Sequence, residues 1–259
     1  MIDNVREVWV KSAERTENWI YGLNPVLEAV RAGRRIMEIY ISSGRHKEVH
    51  LIRKEAEAGN IAVKEVPLSF FEERFPKGHQ GIAARVAERG YTPLEELLEI
   101  PAKKNEHAFF LILDGIEDPR NFGAILRSAE AAGVHGVVIQ SHRAAGFGPV
   151  VSKASAGAVE YVPVSMVPNI KHAISAMKED GIAIIGAEGG KGLSPYDTDL
   201  AIPLALVLGS EGVGLRKTVR DKCDHLLSLP MRGKVNSLNV SVATGILLYE
   251  ILRQKLKKT

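Results

Sequence analysis

Short apolar runs alternate with segments of helical spacing along most of the chain, and glycine, proline or asparagine separates many of them. In the second half, four apolar runs predict buried strands over residues 109–113, 136–140, 182–186 and 205–208. Between the first two runs, Phe122, Ile125 and Ala129 follow helical spacing and predict a helix over 121–132. This alternation predicts an α/β fold with a mostly parallel sheet and helices on both faces.

The first ninety residues show the same alternation on a smaller scale. We predict strands over 36–41, 61–66 and 82–86, helices over 47–58 and 68–75, and an earlier helix that begins at Asn24-Pro25 with Asn24 as its cap. Residues 1–18 are charged and lack a period, so we expect them to be disordered. Two prolines and a charged run indicate a linker over 91–107, with a short helix over 94–100. The predicted domains are therefore a small α/β unit over 19–90 and a larger one over 108–259.

The composition is that of an ordinary soluble globular protein, with 45% hydrophobic and 25% charged residues in 259. A net charge of +3 is too small to indicate a nucleic-acid partner, so any basic surface must be local. The single cysteine, Cys223, excludes an intramolecular disulfide and a cysteine zinc cluster. None of the eight histidines has metal-ligand spacing, so we expect no metal. No segment has the length of a membrane span or the pattern of a secretory signal, which makes the cytoplasm the default location.

Two loops at predicted strand ends indicate a small-molecule pocket, the first after the strand over 205–208 and the second after a short strand predicted over 226–229. LVLGSEGVGL covers 206–215, and LPMRGKVNSLNVSVATG covers 229–245 and leads into an almost wholly apolar helix over 240–252. The first loop lacks the GxxxxGK[ST] pattern of a triphosphate site, and its glycines are not spaced as in a dinucleotide-binding fold. Glu211 in this loop would repel phosphates. It suits a ligand with an adenosine-like body and a positive centre better.

These two loops, together with LDGIEDPRNFGAILRSAEAAG over 113–133, resemble the three motifs of the SpoU (TrmH-type) RNA 2′-O-ribose methyltransferases. The resemblance covers roughly residues 109–256 and has the motifs in the family's order. It implies a trefoil-knotted α/β methyltransferase (SPOUT) domain that binds S-adenosylmethionine. The segment WIYGLNPVLEAV near the start resembles, more loosely, an RNA-binding fold found in some ribosomal proteins. It implies that residues 19–90 bind the RNA substrate.

The resemblance also implies roles for individual residues. Its catalytic positions are Asn121, Arg127, Glu211, Ser237 and Asn239, and its cofactor contacts are Gly209, Leu229 and Leu238. Each has an ordinary alternative. Asn121 lies at a turn and helix start, Arg127 suits a solvated residue or an ion pair with Glu130, and Glu211 suits a helix-start carboxylate or a partner of Arg127. Ser237 and Asn239 are also good caps for the last helix.

The implied reaction is methyl transfer from S-adenosylmethionine to a ribose 2′-hydroxyl of structured RNA. A guanosine in large-subunit (23S) ribosomal RNA is the leading substrate, because family members with an extra domain resemble that type. The alternatives are transfer RNA as the substrate and a non-catalytic RNA-binding or ribosome-assembly factor. A metabolic enzyme with a nucleotide cofactor is disfavoured by the missing phosphate-loop and dinucleotide patterns. We assign Arg127 to stabilising the alkoxide and an adjacent phosphate, because guanidinium is protonated and cannot serve as the base.

Two further features concern partners. Local basic groups are either phosphate contacts or solvated surface: Arg31, Arg34, Arg35, Arg45, His46 and Lys47 in the first domain, and His142, Arg143 and Lys153 in the second. A helix over 240–252 that is apolar almost all round must be covered on most sides. We therefore expect a homodimer through the C-terminal domain, with Arg127 of one chain near the cofactor of the other. A central helix in a monomer is the alternative.

Overall fold

The computed structural model describes residues 19–43, 49–190 and 192–258. The disorder predicted for residues 1–18 and the basic residues Arg45, His46 and Lys47 lie outside these ranges. The described residues form two compact units, one containing the chain up to Gly90 together with Gly146–Tyr161, the other containing the remainder. The predicted limits of the domains stay a prediction.

The first unit is built on a four-stranded sheet of mixed direction. Its strands are β1 (Trp19–Tyr21), β2 (Ile36–Ser42), β3 (Val63–Val66) and β4 (Ile82–Val86), in the order β1-β4-β2-β3. Helices α1 (Leu23–Arg31) and α2 (Val49–Ala58) bury one face, where Ile39, Ile41 and Ile82 form the core. Because successive strand residues point to opposite faces, Tyr40 lies on the other face with the aromatic residues of the short helix α3 (Ser69–Glu72).

Residues 146–161, which the sequence analysis placed in the second domain, pack in the first unit. Helix α7 (Pro149–Ala154) and a 3₁₀ turn (Ala158–Glu160) belong to this segment. The buried carboxylate of Glu160 accepts hydrogen bonds from Arg34 (2.7 Å) and Arg89 (3.1 Å). A buried charge of this kind requires partners, and the two guanidiniums supply them. Arg34 is therefore a structural residue, and Arg31 pairs with Glu28, which weakens the predicted basic edge.

The second unit is built on a parallel six-stranded sheet in the order β10-β8-β9-β5-β6-β7. Its strands are β5 (Phe109–Asp114), β6 (Gly136–Gln140), β7 (Val164–Val167), β8 (Ala183–Ala187), β9 (Leu204–Gly209) and β10 (His225–Leu227). Its helices are α4 (Leu94–Leu98), α5 (Ile100–Lys104), α6 (Pro119–Ala131), α8 (Ile170–Glu179), α9 (Lys217–Arg220) and α10 (Val240–Lys258). The predicted α/β class and parallel sheet are confirmed; β7, α5, α8 and α9 had not been predicted.

Helices cover both faces of this parallel sheet. Phe110 and Ile112 of β5 are buried against Ile170 and Ile174 of α8. On the other face, the ammonium of Lys255 in α10 lies 4.3 Å from the centre of the Phe109 ring, and α10 also packs against α6. Strands β5, β8, β9 and β10 run in the same direction, so their carboxyl ends meet at one edge of the sheet. Both glycine-rich loops of the sequence leave from this edge.

Two local predictions need correction. The first helix begins at Leu23, not at Asn24, and its cap position is Gly22, with φ +96. The side-chain oxygen of Gln80 accepts from the Leu23 N–H, so a residue far along the chain supplies the cap that Asn24 was expected to provide. The last helix continues to Lys258, six residues beyond the predicted end. Over the described part of the chain, no helix combines the length and apolar character that crossing a membrane requires.

Candidate active site

Two adjoining cavities lie at the carboxyl edge of the parallel sheet, entirely within the second unit. The larger has a volume of about 540 Å³ and the smaller about 390 Å³. The wall between them is shared by Ser210, Glu211, Val213 and Val240. The first loop (209–215) and the start of α10 therefore contribute to both.

The first loop closes tightly on itself where β9 ends. The Gly214 N–H donates to the Ser210 carbonyl over 2.9 Å, and Gly214 has φ +70. A Cβ added to Gly209 would lie 2.1 Å from the carbonyl carbon of Gly214. Because backbone atoms cannot rotate out of the way, only glycine fits at position 209. The tight turn leaves Gly209, a predicted cofactor contact, on the wall of the larger cavity.

The second loop (229–239) ends at the cap of α10. The side-chain oxygen of Asn239 accepts from the N–H groups of Ser241 (2.9 Å) and Val242 (3.3 Å), which is the bonding pattern of an N-cap. Leu229, Ser237 and Leu238 of this loop line the larger cavity. Asn239 therefore caps α10, which was the alternative role predicted for it.

Residues from all three motifs meet at the start of α10. The Asn239 Nδ2 donates to Oδ1 of Asn121 (3.0 Å) and to Oε1 of Glu211 (2.5 Å). The Val240 N–H also points to Oε1 of Glu211, at 3.3 Å. A carboxylate at this position is stabilised because the amino end of a helix carries partial positive charge. Glu211 is thus held in a fixed orientation on the wall that the two cavities share.

The larger cavity fits an adenosine-like cation. Its volume lies within the range of about 300–1,000 Å³ typical of small-molecule sites. Leucine side chains supply much of the wall: Leu208, Leu227, Leu229, Leu238 and Leu247. The charged residues that line it are both acidic, Glu188 and Glu211, which favours a positive ligand and disfavours phosphates. Oε2 of Glu188 is buried and makes no hydrogen bond with the described residues; Arg220 Nε lies 3.1 Å away as an ion pair only.

The smaller cavity contains a fixed arginine that the sequence analysis did not single out. Asp114, the last residue of β5, is almost fully buried and accepts from the backbone N–H (3.0 Å) and Nε (2.6 Å) of Arg216. Nη2 of Arg216 donates to Oε1 of Gln140 over 2.6 Å. The sequence contains two signals that could have indicated this pair: an acid at the end of a buried strand, and an arginine directly after GVGL.

Arg127 is a predicted site residue that neither lines a cavity nor bonds to a described residue that does. It lies on α6, is exposed and lines neither cavity. Within the described ranges its side chain has neither a hydrogen bond nor an ion pair, so the alternative pair with Glu130 is not formed.

Of the predicted phosphate contacts, Arg143 lines the smaller cavity, whereas Lys153 belongs to the first unit and donates to Gln80 over 3.1 Å. Across the described part of the chain, His, Cys, Asp and Glu form no cluster that could hold a metal.

Comparison with known proteins identifies two families that match this chain. Residues 108–249 match the SpoU rRNA Methylase family, and residues 19–92 match the family described as RNA 2′-O ribose methyltransferase substrate binding. The Bacillus subtilis protein YacO, named as a TrmH family tRNA/rRNA methyltransferase, is 40% identical over 239 residues, which are 92% of this chain and 96% of YacO.

Two solved structures are similar in fold along nearly the whole chain. The SpoU methyltransferase AviRb from Streptomyces viridochromogenes, in complex with its cofactor AdoMet, superposes with a TM-score of 0.78 at 25% identity, covering 95% of this chain and 94% of that one. A protein described as an RNA 2′-O ribose methyltransferase has a TM-score of 0.75 at 27% identity, covering 92% and 88%. Since one family matches more than half of the chain and a 40% identical relative covers most of it, the chain belongs to the SpoU rRNA methylase family, as the motifs predicted.

Proposed function

We propose that this SpoU methyltransferase methylates the ribose 2′-hydroxyl of a guanosine in large-subunit ribosomal RNA. One observation carries the proposal: Asn239 donates to Asn121, which lines the smaller cavity, and to Glu211, which lines both cavities. The larger cavity would hold S-adenosylmethionine and the smaller one the acceptor nucleotide. With both sites sharing one wall, the acceptor hydroxyl and the methyl group can be held close together, which lowers the entropic part of the barrier.

S-adenosylmethionine supplies an electrophilic methyl group on a positively charged sulfur. The leucine walls of the larger cavity exclude water, and the glycine turn at 209–214 lets the backbone approach the adenosine closely. Glu188 and Glu211 stabilise the positive charge of the bound cofactor electrostatically. Backbone groups of Gly209, Leu229 and Leu238 are suitably located on the cavity wall for contacts to the adenosine.

Removing the proton of the 2′-hydroxyl demands stabilisation of the oxygen on which negative charge develops. We assign this to Arg127, whose guanidinium donates planar, charged hydrogen bonds to an alkoxide and a neighbouring phosphate. Ser237, exposed on the wall of the larger cavity, and Asn121 complete the set of polar groups around the acceptor. Since Arg127 lies away from both cavities of its own chain, the assignment requires a second subunit.

The last helix supports a homodimer. Val242, Ile246, Tyr249 and Leu256 are 50%, 38%, 54% and 69% exposed and are spaced so that they share one side of α10. An apolar stripe of this length on a helix is normally covered. We propose that a second chain covers it, with the same surface used by both chains. Because α6 packs beside α10, Arg127 would then lie close to the subunit boundary.

Three further points belong to the proposal. The match of residues 19–92 to a substrate-binding family supports an RNA-binding role for the first domain. We also propose the trefoil knot that the motifs imply for residues 108–259. Ribosomal RNA as the substrate implies a cytoplasmic location.

Transfer RNA remains the alternative substrate, and the relative from B. subtilis is named for both kinds of RNA. A non-catalytic factor is disfavoured because Asn121, Glu211 and Asn239 form a bonded cluster.

The test is methyl transfer to separate RNA pools. The full-length protein is incubated with S-adenosylmethionine carrying a labelled methyl group and with unmodified transcripts of large-subunit RNA, small-subunit RNA or transfer RNA. The RNA is then digested to nucleosides, which are identified by mass spectrometry. We expect 2′-O-methylguanosine from large-subunit RNA. Label in transfer RNA alone would establish the alternative substrate, and cofactor binding without transfer to any pool would establish the non-catalytic factor.

A further inference from the structure

The smaller cavity carries charged groups whose partners the site does not supply. Glu117 lines it, is exposed, and has no hydrogen bond or ion pair with any described residue. Arg216 lines it as well, with its Nε held by Asp114 and its Nη2 held by Gln140. Its Nη1 makes no hydrogen bond within the described ranges. The cavity therefore presents an acceptor pair on one residue and a donor group on another.

The charge of the lining disfavours a phosphate in this cavity. Four carboxylates face two guanidiniums: Asp114, Glu117, Asp118 and Glu211 against Arg143 and Arg216. One guanidinium, that of Arg216, is already neutralised by the buried Asp114. An anion placed here would meet uncompensated negative charge, whereas a neutral group with both donors and acceptors would not.

A guanine base matches this pattern of groups. Its Watson–Crick edge carries two neighbouring donors, N1–H and N2–H₂, which suit a carboxylate, and its other edge carries the acceptors O6 and N7, which suit an arginine. Adenine, cytosine and uracil do not combine two adjacent donors on one edge with two adjacent acceptors on the next. RNA bases that are unstacked from their neighbours are commonly read on both of these edges.

We propose that the smaller cavity selects guanine, with Glu117 accepting from N1–H and N2–H₂ and the two hydrogens on Nη1 of Arg216 donated to O6 and N7. The inference rests on the proposed methyl transfer and adds the residues that choose the base. The wall shared through Glu211 then directs the ribose of the bound guanosine toward the larger cavity. Asp114 acts as a positioning residue, since it fixes the plane of the Arg216 guanidinium.

The fixed guanidinium strengthens this role. An arginine free in solution loses side-chain entropy when it binds, but Arg216 is already immobilised by bonds to its backbone N–H, its Nε and its Nη2. Glu117 lies three residues after Asp114, in the loop between β5 and α6. The donor and the acceptor are thus both anchored at the end of β5.

The experiment uses single-atom changes in the RNA. Once the methylated nucleotide is mapped, ligated transcripts carry guanosine, inosine or 7-deazaguanosine at that position. Inosine lacks the N2 amino group and 7-deazaguanosine lacks N7. For the wild-type protein we expect kcat/KM to fall about 10- to 100-fold with either analogue, the range for losing part of a bidentate contact.

The protein variant is Glu117→Gln, with Glu130→Gln as a control that removes an exposed carboxylate from α6 away from both cavities. Glu117→Gln should lower kcat/KM on guanosine by about 10- to 100-fold and should bring guanosine and inosine to within a few-fold of each other. Glu130→Gln should preserve both the rate and the discrimination. Affinity for S-adenosylmethionine, measured by calorimetry, should be unchanged in both variants, which excludes misfolding.

Each other outcome contradicts the inference. Wild-type methylation of a ribose on adenosine, cytidine or uridine would overturn the guanine site while leaving the methyltransferase function intact. Full discrimination against inosine in Glu117→Gln would remove Glu117 from base selection. Absence of methyl transfer to any RNA would overturn the proposed function together with this inference.

Discussion

The side-chain nitrogen of Asn239 lies 3.0 Å from Oδ1 of Asn121, a hydrogen bond between residues 118 positions apart. It ties the first turn of α6 to the cap of α10, and so joins the first motif to the third. The same nitrogen donates to Glu211 in the second motif. A single amide therefore links Asn121, which lines the smaller cavity, to Glu211, which lines both cavities.

Replacing Asn239 with aspartate should separate its two roles. The Asp side chain retains the oxygen that caps α10, but it loses the donor to Asn121 and places a second carboxylate beside Glu211. Hydrogen bonds to charged groups contribute about 1.5–3 kcal/mol, so this change should lower the melting temperature by several degrees, and we expect methyl transfer to fall about 10- to 100-fold. Asn169→Asp makes the same change at the cap of α8, outside both cavities, and serves as the control. Near-normal turnover in Asn239→Asp would show that this bond is dispensable.

Gly209→Ala should disrupt the cofactor cavity. Its new methyl group would lie 2.1 Å from a backbone carbon of Gly214, so the turn must open. Overpacking of this kind costs about 1–3 kcal/mol, which should lower the melting temperature by several degrees and weaken S-adenosylmethionine binding in calorimetry. In Gly233→Ala the nearest atom is 4.0 Å away, so that variant should resemble the wild type. Unchanged cofactor affinity in Gly209→Ala would contradict the assignment of this loop.

Arg127→Ala should abolish methyl transfer while leaving stability and cofactor affinity unchanged, because the side chain is exposed and contacts neither cavity of its own chain. Arg127→Lys should also be poor, since lysine lacks the planar fork. Glu130→Ala, on the same helix, is the control. Turnover, calorimetry and thermal melting distinguish a catalytic loss from a structural one.

Mixing an inactive variant with a strongly impaired one tests whether the site is shared between subunits. In a mixed dimer of Arg127→Ala and Asn239→Asp, one site combines the intact Arg127 of one chain with the intact cofactor wall of the other. We expect partial recovery of activity on mixing if Arg127 acts across the boundary. If Arg127 acts within its own chain, every site in the mixed dimer carries one defect and no recovery occurs.

Ile246→Glu should convert the proposed dimer into a monomer. Its side chain lies in the apolar stripe of α10, and a carboxylate there would be buried without a partner in the interface. Light scattering on the full-length protein at micromolar concentration measures the change. The control is Leu68→Glu, which changes an apolar residue of the first unit that is 49% exposed. This variant should leave the mass of the protein in solution unchanged. A wild-type protein that is monomeric and active would remove the dimer from the mechanism.

His135 should make stability depend on pH. Burial lowers the pKa of its imidazole below the ordinary 6.5, while Glu106 opposes this shift. Nδ1 accepts the Phe109 N–H, which requires the neutral ring. Because the unfolded chain binds the proton more readily, the free energy of unfolding should fall as pH drops below 6.5 and level off below the folded pKa. Urea titrations of wild type and His135→Gln check this; an equally steep dependence in the variant would assign it to other groups.

The sequence by itself determined the local features that burial imposes on a short stretch of chain. Strands β4 and β6 match their predicted limits, because an apolar run between turn residues is sufficient to specify a buried strand. The parallel sheet followed from the alternation of strands and helices. Asn121, Glu211 and Asn239 were named as site residues from the motifs, but the hydrogen bonds that join them were not predicted.

Only the tertiary structure decided which distant polar groups become partners. Asp114 and Arg216 are 102 positions apart, and each alone resembles an ordinary strand-end acid or exposed base. Gln80, not Asn24, provides a side-chain acceptor at the start of the first helix, and Glu160 holds 146–161 in the first unit through two arginines. A buried polar group must find a partner, but hydrophobic periodicity contains no information about which one. That choice is made by the fold, which brings the candidates within hydrogen-bond distance and excludes water from the rest.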